Sequence, residues 1–195
     1  MQGFSQAADN NKAPILKGLS QWLPSNAHVL ELGSGAGQHA IFLAAALKGI
    51  SWQPTERKEK LGILKENIAN YGTGNILPPV ALDLSQNRWP KKNADCVYCA
   101  NVIHIIRPTL GESLITGAAR TLAQGGLLAL YGPFKYEGQF TTLSNCNFDH
   151  WLKTQDPRSG IRDFEWVCKL AKNHDLSLAE DRPMPANNRL LIFRR

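Results

Sequence analysis

The chain has 195 residues, of which 43% are hydrophobic and 19% charged, and its formal net charge is +6. That length suits one domain of ordinary size with a real core, and the composition excludes a low-complexity or disordered chain. No apolar run approaches the roughly 20 residues of a membrane span, and the polar opening "MQGFSQAADNNK" lacks the basic-then-apolar order of a signal peptide, so the expected address is cytoplasmic.

From residue 28 onward strand-like and helix-like segments alternate, after an N-terminal segment over 1–27 read as helical. "HVLEL" is a short apolar strand. "GQHAIFLAAALKG" is a helix stopping at Gly49 with Lys48 in its last turn. "ISWQP" is a second strand, followed by a helix from about Glu56 with Leu61, Leu64 and Ile68 at helical spacing. "NILPPVALDL" predicts a third strand that Pro78 and Pro79 push toward a sheet edge. "ADCVYCANVI" is a fourth. The next helix opens at Pro108, with Thr109 and Glu112 spaced as a capping box and Leu110, Leu114, Ala118 and Leu122 on one face. "GGLLALYGPF" is the fifth strand, entered through Gly125 and Gly126. A long connection, 132–159, follows with a short helix around "FDHWLK". A helix with Phe164, Val167, Cys168 and Ala171 on one side comes next, and strands near "LSLAED" and "RLLIFRR" sit close enough to pair antiparallel. Such alternation predicts a parallel sheet with helices on both faces and a ligand at the carboxyl ends of its strands.

Cys96 and Cys99 form a C-x-x-C, but within a strand positions three apart face opposite ways. Cys146 and Cys168 supply no second close pair, so no metal site is expected and the four thiols read as small hydrophobes. Lys91, Lys92, Arg194 and Arg195 could form a basic patch. Basic residues are otherwise dispersed, without an aromatic-and-basic RNA module, so nucleic acid is an unlikely partner and the charge reads as solvated surface.

The first strand runs into Glu31-Leu32-Gly33-Ser34-Gly35-Ala36-Gly37. Glycine in such a turn accepts φ > 0 and lets a ligand approach the backbone. Dinucleotide sites favour G-x-G-x-x-G, whereas an acid followed by G-x-G-x-G resembles the first motif of the class I S-adenosylmethionine-dependent methyltransferases. The resemblance implies that Glu31, Gly33, Ser34, Gly35 and Gly37 hold the methionine part of the cofactor. It places Glu56 on the ribose hydroxyls, Asp83 on the adenine amino group and Asn101 at the cofactor beside the fourth strand. Each acid also has a plainer reading: a helix cap for Glu31, the start of the charged helix "ERKEK" for Glu56, and a turn or N-cap for Asp83. The resemblance covers nearly the whole chain. It implies a single class I methyltransferase domain over 1–195: a Rossmann-like α/β fold whose seven-stranded, mostly parallel sheet has an antiparallel last strand and helices on both faces.

The segments "NKAPIL", "WQPTE", "CANVIHI", "LYGPF", "SNCNFD", "GIRD" and "MPANN" further resemble the family that includes methyltransferase-like protein 26 and many bacterial members. Two departures stand out. Glu56 replaces the usual Asp, and Asp9-Asn10 stands where relatives commonly carry Glu-Arg.

Methyl transfer rests on aligning nucleophile, methyl and sulfur, with a base only where the nucleophile carries a proton. Asn101-Val102-Ile103-His104 lacks the prolines and aromatic of enzymes that methylate amide or base nitrogens. His104, with an unperturbed pKa near neutral, is the first candidate base, and Tyr131 the second candidate catalytic residue. Phe134, Asn145, Arg162, Asn187 and Asn188 are expected on the substrate side, since long connections often form binding loops. The expected activity is methyl transfer from S-adenosyl-L-methionine to a small-molecule acceptor. A cofactor-binding scaffold, an RNA or protein acceptor, and a nucleotide-dependent oxidoreductase are the alternatives.

Overall fold

The computed structural model describes residues 1–87, 89–90 and 93–195, so the Lys91 and Lys92 part of the basic patch lies outside the described residues. Helix α1 (Gln6–Leu19) precedes β1 (His28–Leu32), α2 (Gln38–Ala46), β2 (Ser51–Glu56), α3 (Leu61–Tyr71), β3 (Val80–Ala81), β4 (Ala94–Ala100), α4 (Pro108–Thr121) and β5 (Leu122–Gly132). Then come β6 (Phe134–Tyr136), β7 (Gln139–Phe140), α5 (Leu143–Gln155), β8 (Arg162–Asp163), α6 (Phe164–Lys172), β9 (Ser177–Met184) and β10 (Asn188–Arg194). Seven strands form one sheet in the order β3-β2-β1-β4-β5-β10-β9. Strands β1 to β5 pair in parallel, and β10 runs antiparallel to both β5 and β9.

Two apolar layers close the sheet. On one face α1 and α2 cover Val29, Trp52, Cys96 and Tyr98 with Ile15, Leu19 and Leu43. On the other, α4 and α6 cover Leu30, Val97 and Cys99 with Leu114, Ala118 and Val167. Cys96 and Cys99 therefore face opposite layers, as strand alternation demands. Leu114 is fully buried, and cutting it to Ala would cost about 2–5 kcal/mol.

Several boundaries differ from the sequence expectation, each for a local reason. Helix α2 ends at Ala46, before Lys48 and Gly49. Strand β2 continues through Glu56 because Thr55 and Glu56 pair with Val80 and Ala81, so α3 starts only at Leu61, after a single 3₁₀ turn. The prolines confine β3 to two residues at the sheet edge. The Thr109–Glu112 capping box does not form: Pro108 takes the first helical turn, Arg107 is the N-cap, and Thr109 already lies inside α4. The 132–159 connection is structured. Its strands β6 and β7 join β8 in a small sheet of order β7-β6-β8, and α5 spans 13 residues from the Thr142 cap.

Strand order reverses at β1, between β2 and β4, and there the crevice at the strands' carboxyl ends opens. Among the described residues, no helix is long and apolar enough to cross a membrane. Arg194 ends β10 and Arg195 follows it, at the end of the sheet where β5 begins, and they bind the carbonyls of Gly125 and Leu122.

Candidate functional site

A cleft of about 600 Å³ occupies the switch point, lined by Gly33–Ala36, Glu56, Asp83 and the segment after β4. Its floor is the glycine turn. Gly33 and Gly35 have φ of +66° and +57°, conformations that ordinary side chains rarely adopt. A Cβ at Gly33 would press on Val102 Cγ2 at 2.8 Å, whereas one at Gly35 would meet nothing within 4 Å. Gly35 is thus the backbone that a ligand can approach. Gly37 serves differently: it caps α2 and packs under Leu64, outside the cleft lining.

Hydrogen bonds lace this turn to β2. Ser34 N–H donates to the Thr55 carbonyl (2.8 Å), Ser34 Oγ–H to Glu31 Oε2 (2.7 Å) and Thr55 Oγ1–H to the Glu31 carbonyl (2.6 Å). Trp52 Nε1–H also donates to Glu31 Oε2, at 3.0 Å. Glu31, 2% exposed, therefore lies beneath the loop and does not cap a helix. Burial pushes its pKa up to about 7 against those two donors, with the Glu56 charge adding to the rise.

Glu56 is buried at the end of β2 and lines the cleft. Its Oε2 accepts from Gly35 N–H and its Oε1 from Arg57 N–H, both at 2.8 Å. The solvated-helix reading of Glu56 does not hold. Asp83 is exposed at the cleft edge, with Oδ1 accepting from Ser85 N–H (2.8 Å) and Ser85 Oγ–H (2.7 Å). These bonds lower its pKa. The turn role and the cleft position coexist. Asn101, at φ +58°, also lines the cleft and donates its backbone N–H to the Tyr131 carbonyl.

The residues expected on the acceptor side do not line this cleft. His104 is 2% exposed, and burial followed by the Arg162 charge pushes its pKa down to about 4, so the near-neutral titration expected of it is corrected. Its ring meets Phe148 edge-on at 5.4 Å, and Nδ1 has no hydrogen-bond partner among the described residues. Phe134 is 0% exposed, in the core. Arg162 is turned inward: its guanidinium donates to the carbonyls of Ile103, Ile106 and Arg158, clamping the segment after β4. Asn145 joins Thr141 to the Asn187 carbonyl, and Asn187 reaches Ser144. Asn188 closes its own turn onto Pro185 and Ala186. Asn188 thus serves a local turn, whereas Asn145, Asn187 and Arg162 tie together segments distant in the chain.

A buried polar chain that the sequence does not mark lies nearby. His39, on α2 at the cleft wall, approaches Tyr98 Oη through Nδ1 (3.2 Å) and Asn11 Oδ1 through Nε2 (2.6 Å). With Asn11 Oδ1 accepting, His39 carries its proton on Nε2 and accepts from Tyr98 at Nδ1. Burial pushes the His39 pKa down to about 4 and keeps the ring neutral. The side chains of Asn11 and Asn188 lie beside the Tyr131 hydroxyl and oppose the burial that raises its pKa to about 12. No hydrogen bond satisfies that hydroxyl among the described residues. The signals were present in "NKAPIL" and "GQHA", but only the fold brings residue 11 against residues 39 and 131.

Sheet order and helical layers are similar to those of several solved methyltransferase structures. An O-methyltransferase family protein from Burkholderia thailandensis superposes with a TM-score of 0.82 at 16% identity, over 97% of this chain and 58% of that one. Human N-acetylserotonin methyltransferase, in complex with SAM, gives 0.81 at 17%, over 97% and 53%. An O-methyltransferase family 2 protein from Planctomyces limnophilus, in complex with apigenin, gives 0.77 at 18%, over 100% and 66%. The chain spans roughly half to two thirds of the length of these structures. The chain itself belongs to the family described as "Protein of unknown function (DUF938)", whose pattern matches residues 2–195.

Proposed function

We propose that this protein transfers the methyl group of S-adenosylmethionine to a small-molecule acceptor. The observation that carries the proposal is the open space over Gly35, whose amide is held by the Glu56 carboxylate inside a cleft of about 600 Å³. Such a volume is typical of a cofactor site. The fold neighbours support the choice of cofactor, one having been solved with SAM and another, PigF, with SAH. The motifs quoted above support, within this proposal, a likeness to the family that includes methyltransferase-like protein 26.

In this assignment Glu56 accepts the ribose hydroxyls while holding the loop, and Asp83 accepts from the adenine amino group. Gly33, Ser34 and Asn101 contact the methionine part, with the Glu31 carboxylate supplying negative charge beneath it. When bound, the cofactor supplies an electrophilic methyl on a sulfonium. The protein's contribution is alignment and exclusion of water. Tyr131, set beside Ala100 and Asn101 through its pairing with β4, is buried behind the cleft lining. Its hydroxyl would meet a polar atom of the acceptor once the neighbouring Asn11 and Asn188 side chains move aside. His104 acts as a neutral ring that shapes the segment after β4, its carbonyl accepting from Gly160 N–H. The apigenin-bound neighbour supports a small acceptor, and the compartment proposed is the cytoplasm.

Calorimetry with S-adenosylmethionine, S-adenosylhomocysteine and NADH tests the proposal. The first two should bind and raise the melting temperature, and NADH should not. Absence of binding by the first two at millimolar ligand, on folded protein, removes it.

A further inference from the structure

Resting on the cofactor assignment above, we infer that Gly3–Ser5 form a strap, positioned by Gln38 and Asn67, that closes the glycine-loop end of the cleft and slows the cofactor's departure. Gly3 and Ser5 line the cleft, and Gly3 lies against Ala36 of the glycine loop. The strap therefore sits beside the loop assigned to the cofactor's amino-acid group.

Two amide side chains hold it. Gln38 accepts from Ser5 N–H at Oε1 and donates from Nε2 to the Ser5 carbonyl (3.1 Å). Asn67 treats Gln2 in the same way, accepting its N–H (3.2 Å) and donating to its carbonyl (2.8 Å). The Asn67 Nδ2 also donates to the Ala36 carbonyl at 2.9 Å, tying strap and glycine loop to one buried side chain. At Gly3, φ is +71° and an added Cβ would lie 3.4 Å from Ala36 Cβ, so the two backbones run close together.

What is missing is an apolar anchor. Residues 1–7 are exposed, Phe4 at 55%. Helix α1, by contrast, is fixed through the fully buried Ile15 and Leu19. Exposed hydrogen bonds contribute little net stability in water. The strap can therefore lift while α1 stays docked, which suits a segment that must release a ligand. A bound ligand would add contacts to Gly3 and Ser5 and favour the closed form.

The experiment follows S-adenosylhomocysteine dissociation by stopped flow, with amide hydrogen exchange read at residues 2–9. In the unaltered protein, binding should slow exchange at the strap. Gln38→Met keeps the side chain's length and removes both bonds. It should raise the dissociation rate about tenfold and abolish the added protection, with the melting temperature of the unliganded protein unchanged. A second variant lacking Gln2–Phe4 should dissociate at least as fast. If S-adenosylhomocysteine binds the unaltered protein but leaves strap exchange unchanged, or if both variants release it at the original rate, the strap is overturned and the cofactor assignment stands. If it does not bind the unaltered protein, the cofactor assignment falls and takes the strap with it.

Discussion

Glu56 Oε2 lies 2.8 Å from Gly35 N, so the carboxylate proposed for the cofactor's ribose also fixes the glycine loop. In that proposal one residue carries both binding and preorganisation. Glu56→Ala should weaken S-adenosylhomocysteine binding by about 10- to 150-fold, the worth of charge-assisted hydrogen bonds at roughly 1.5–3 kcal/mol. Because Gly35 N–H loses its partner as well, the melting temperature of the unliganded protein should also fall. Glu56→Gln keeps one acceptor oxygen and should lie between. Calorimetry and thermal melts on the three proteins check this. Unchanged affinity in Glu56→Ala would detach Glu56 from the ligand.

Gly35 offers the complementary experiment, since its added Cβ has room but no suitable backbone conformation. Gly35→Ala should cost roughly 1–2 kcal/mol of stability from the left-handed φ alone. It should reduce cofactor affinity further, because the methyl would occupy the space over the loop. Equal affinity in the variant, measured by calorimetry below its melting temperature, would mean that the ligand keeps its distance from this backbone.

Much of this was legible beforehand. An apolar run, an acid and three alternate glycines locate β1, the turn and α2, because strand burial and left-handed φ each leave a residue-type signature. Glu56 was harder. "ERKEK" looks helical by charge, yet pairing of Thr55–Glu56 with Val80–Ala81 keeps Glu56 in the strand, a tertiary preference overriding a local one. The acceptor-side residues have the right chemical type, and type does not reveal partners: Arg162 has the charge to meet a carboxylate but spends its donors on three carbonyls. His39 and Asn11 are silent in the sequence for the opposite reason. Their significance lies in a contact across 28 positions of chain.

Three buried groups set the expected pH dependence. Glu31 has its pKa raised from 4.5 to about 7, so the stability its protonated form contributes is full below pH 4.5 and lost as pH rises through 7. His39 and His104 have theirs lowered from 6.5 to about 4. Their contribution is full above pH 6.5 and lost as pH falls toward 4. Two histidines outweigh one glutamate, so from these three groups stability should rise from pH 4.5 to about 6.5 and then decline toward 7. Denaturant titrations across pH 4–8 read this directly, and Glu31→Gln should remove the decline. S-adenosylmethionine carries positive charge and favours ionised Glu31, so its affinity should climb through pH 7 with proton release, measurable by calorimetry in two buffers.

The last prediction contrasts two buried tyrosines. Tyr98 Oη bonds His39 Nδ1 at 3.2 Å, whereas Tyr131 Oη has no hydrogen bond among the described residues. Tyr98→Phe should destabilise the protein by about 1 kcal/mol and loosen His39 and Asn11 behind it. Tyr131→Phe removes a buried, unsatisfied hydroxyl, so the unliganded protein should be as stable as before or more stable. The hydroxyl without a partner is free to bond a ligand atom, and the partner proposed for it is the acceptor. Methyl incorporation from labelled S-adenosylmethionine into metabolite extracts should therefore drop about 10²-fold in Tyr131→Phe, with cofactor affinity within a few fold of the original. His104→Gln separates the two catalytic candidates, because a neutral ring that only shapes the segment after β4 should show no recovery of rate at raised pH. A Tyr131→Phe variant that loses stability but keeps full transfer would make this tyrosine a packing residue and move the acceptor away from the end of β5.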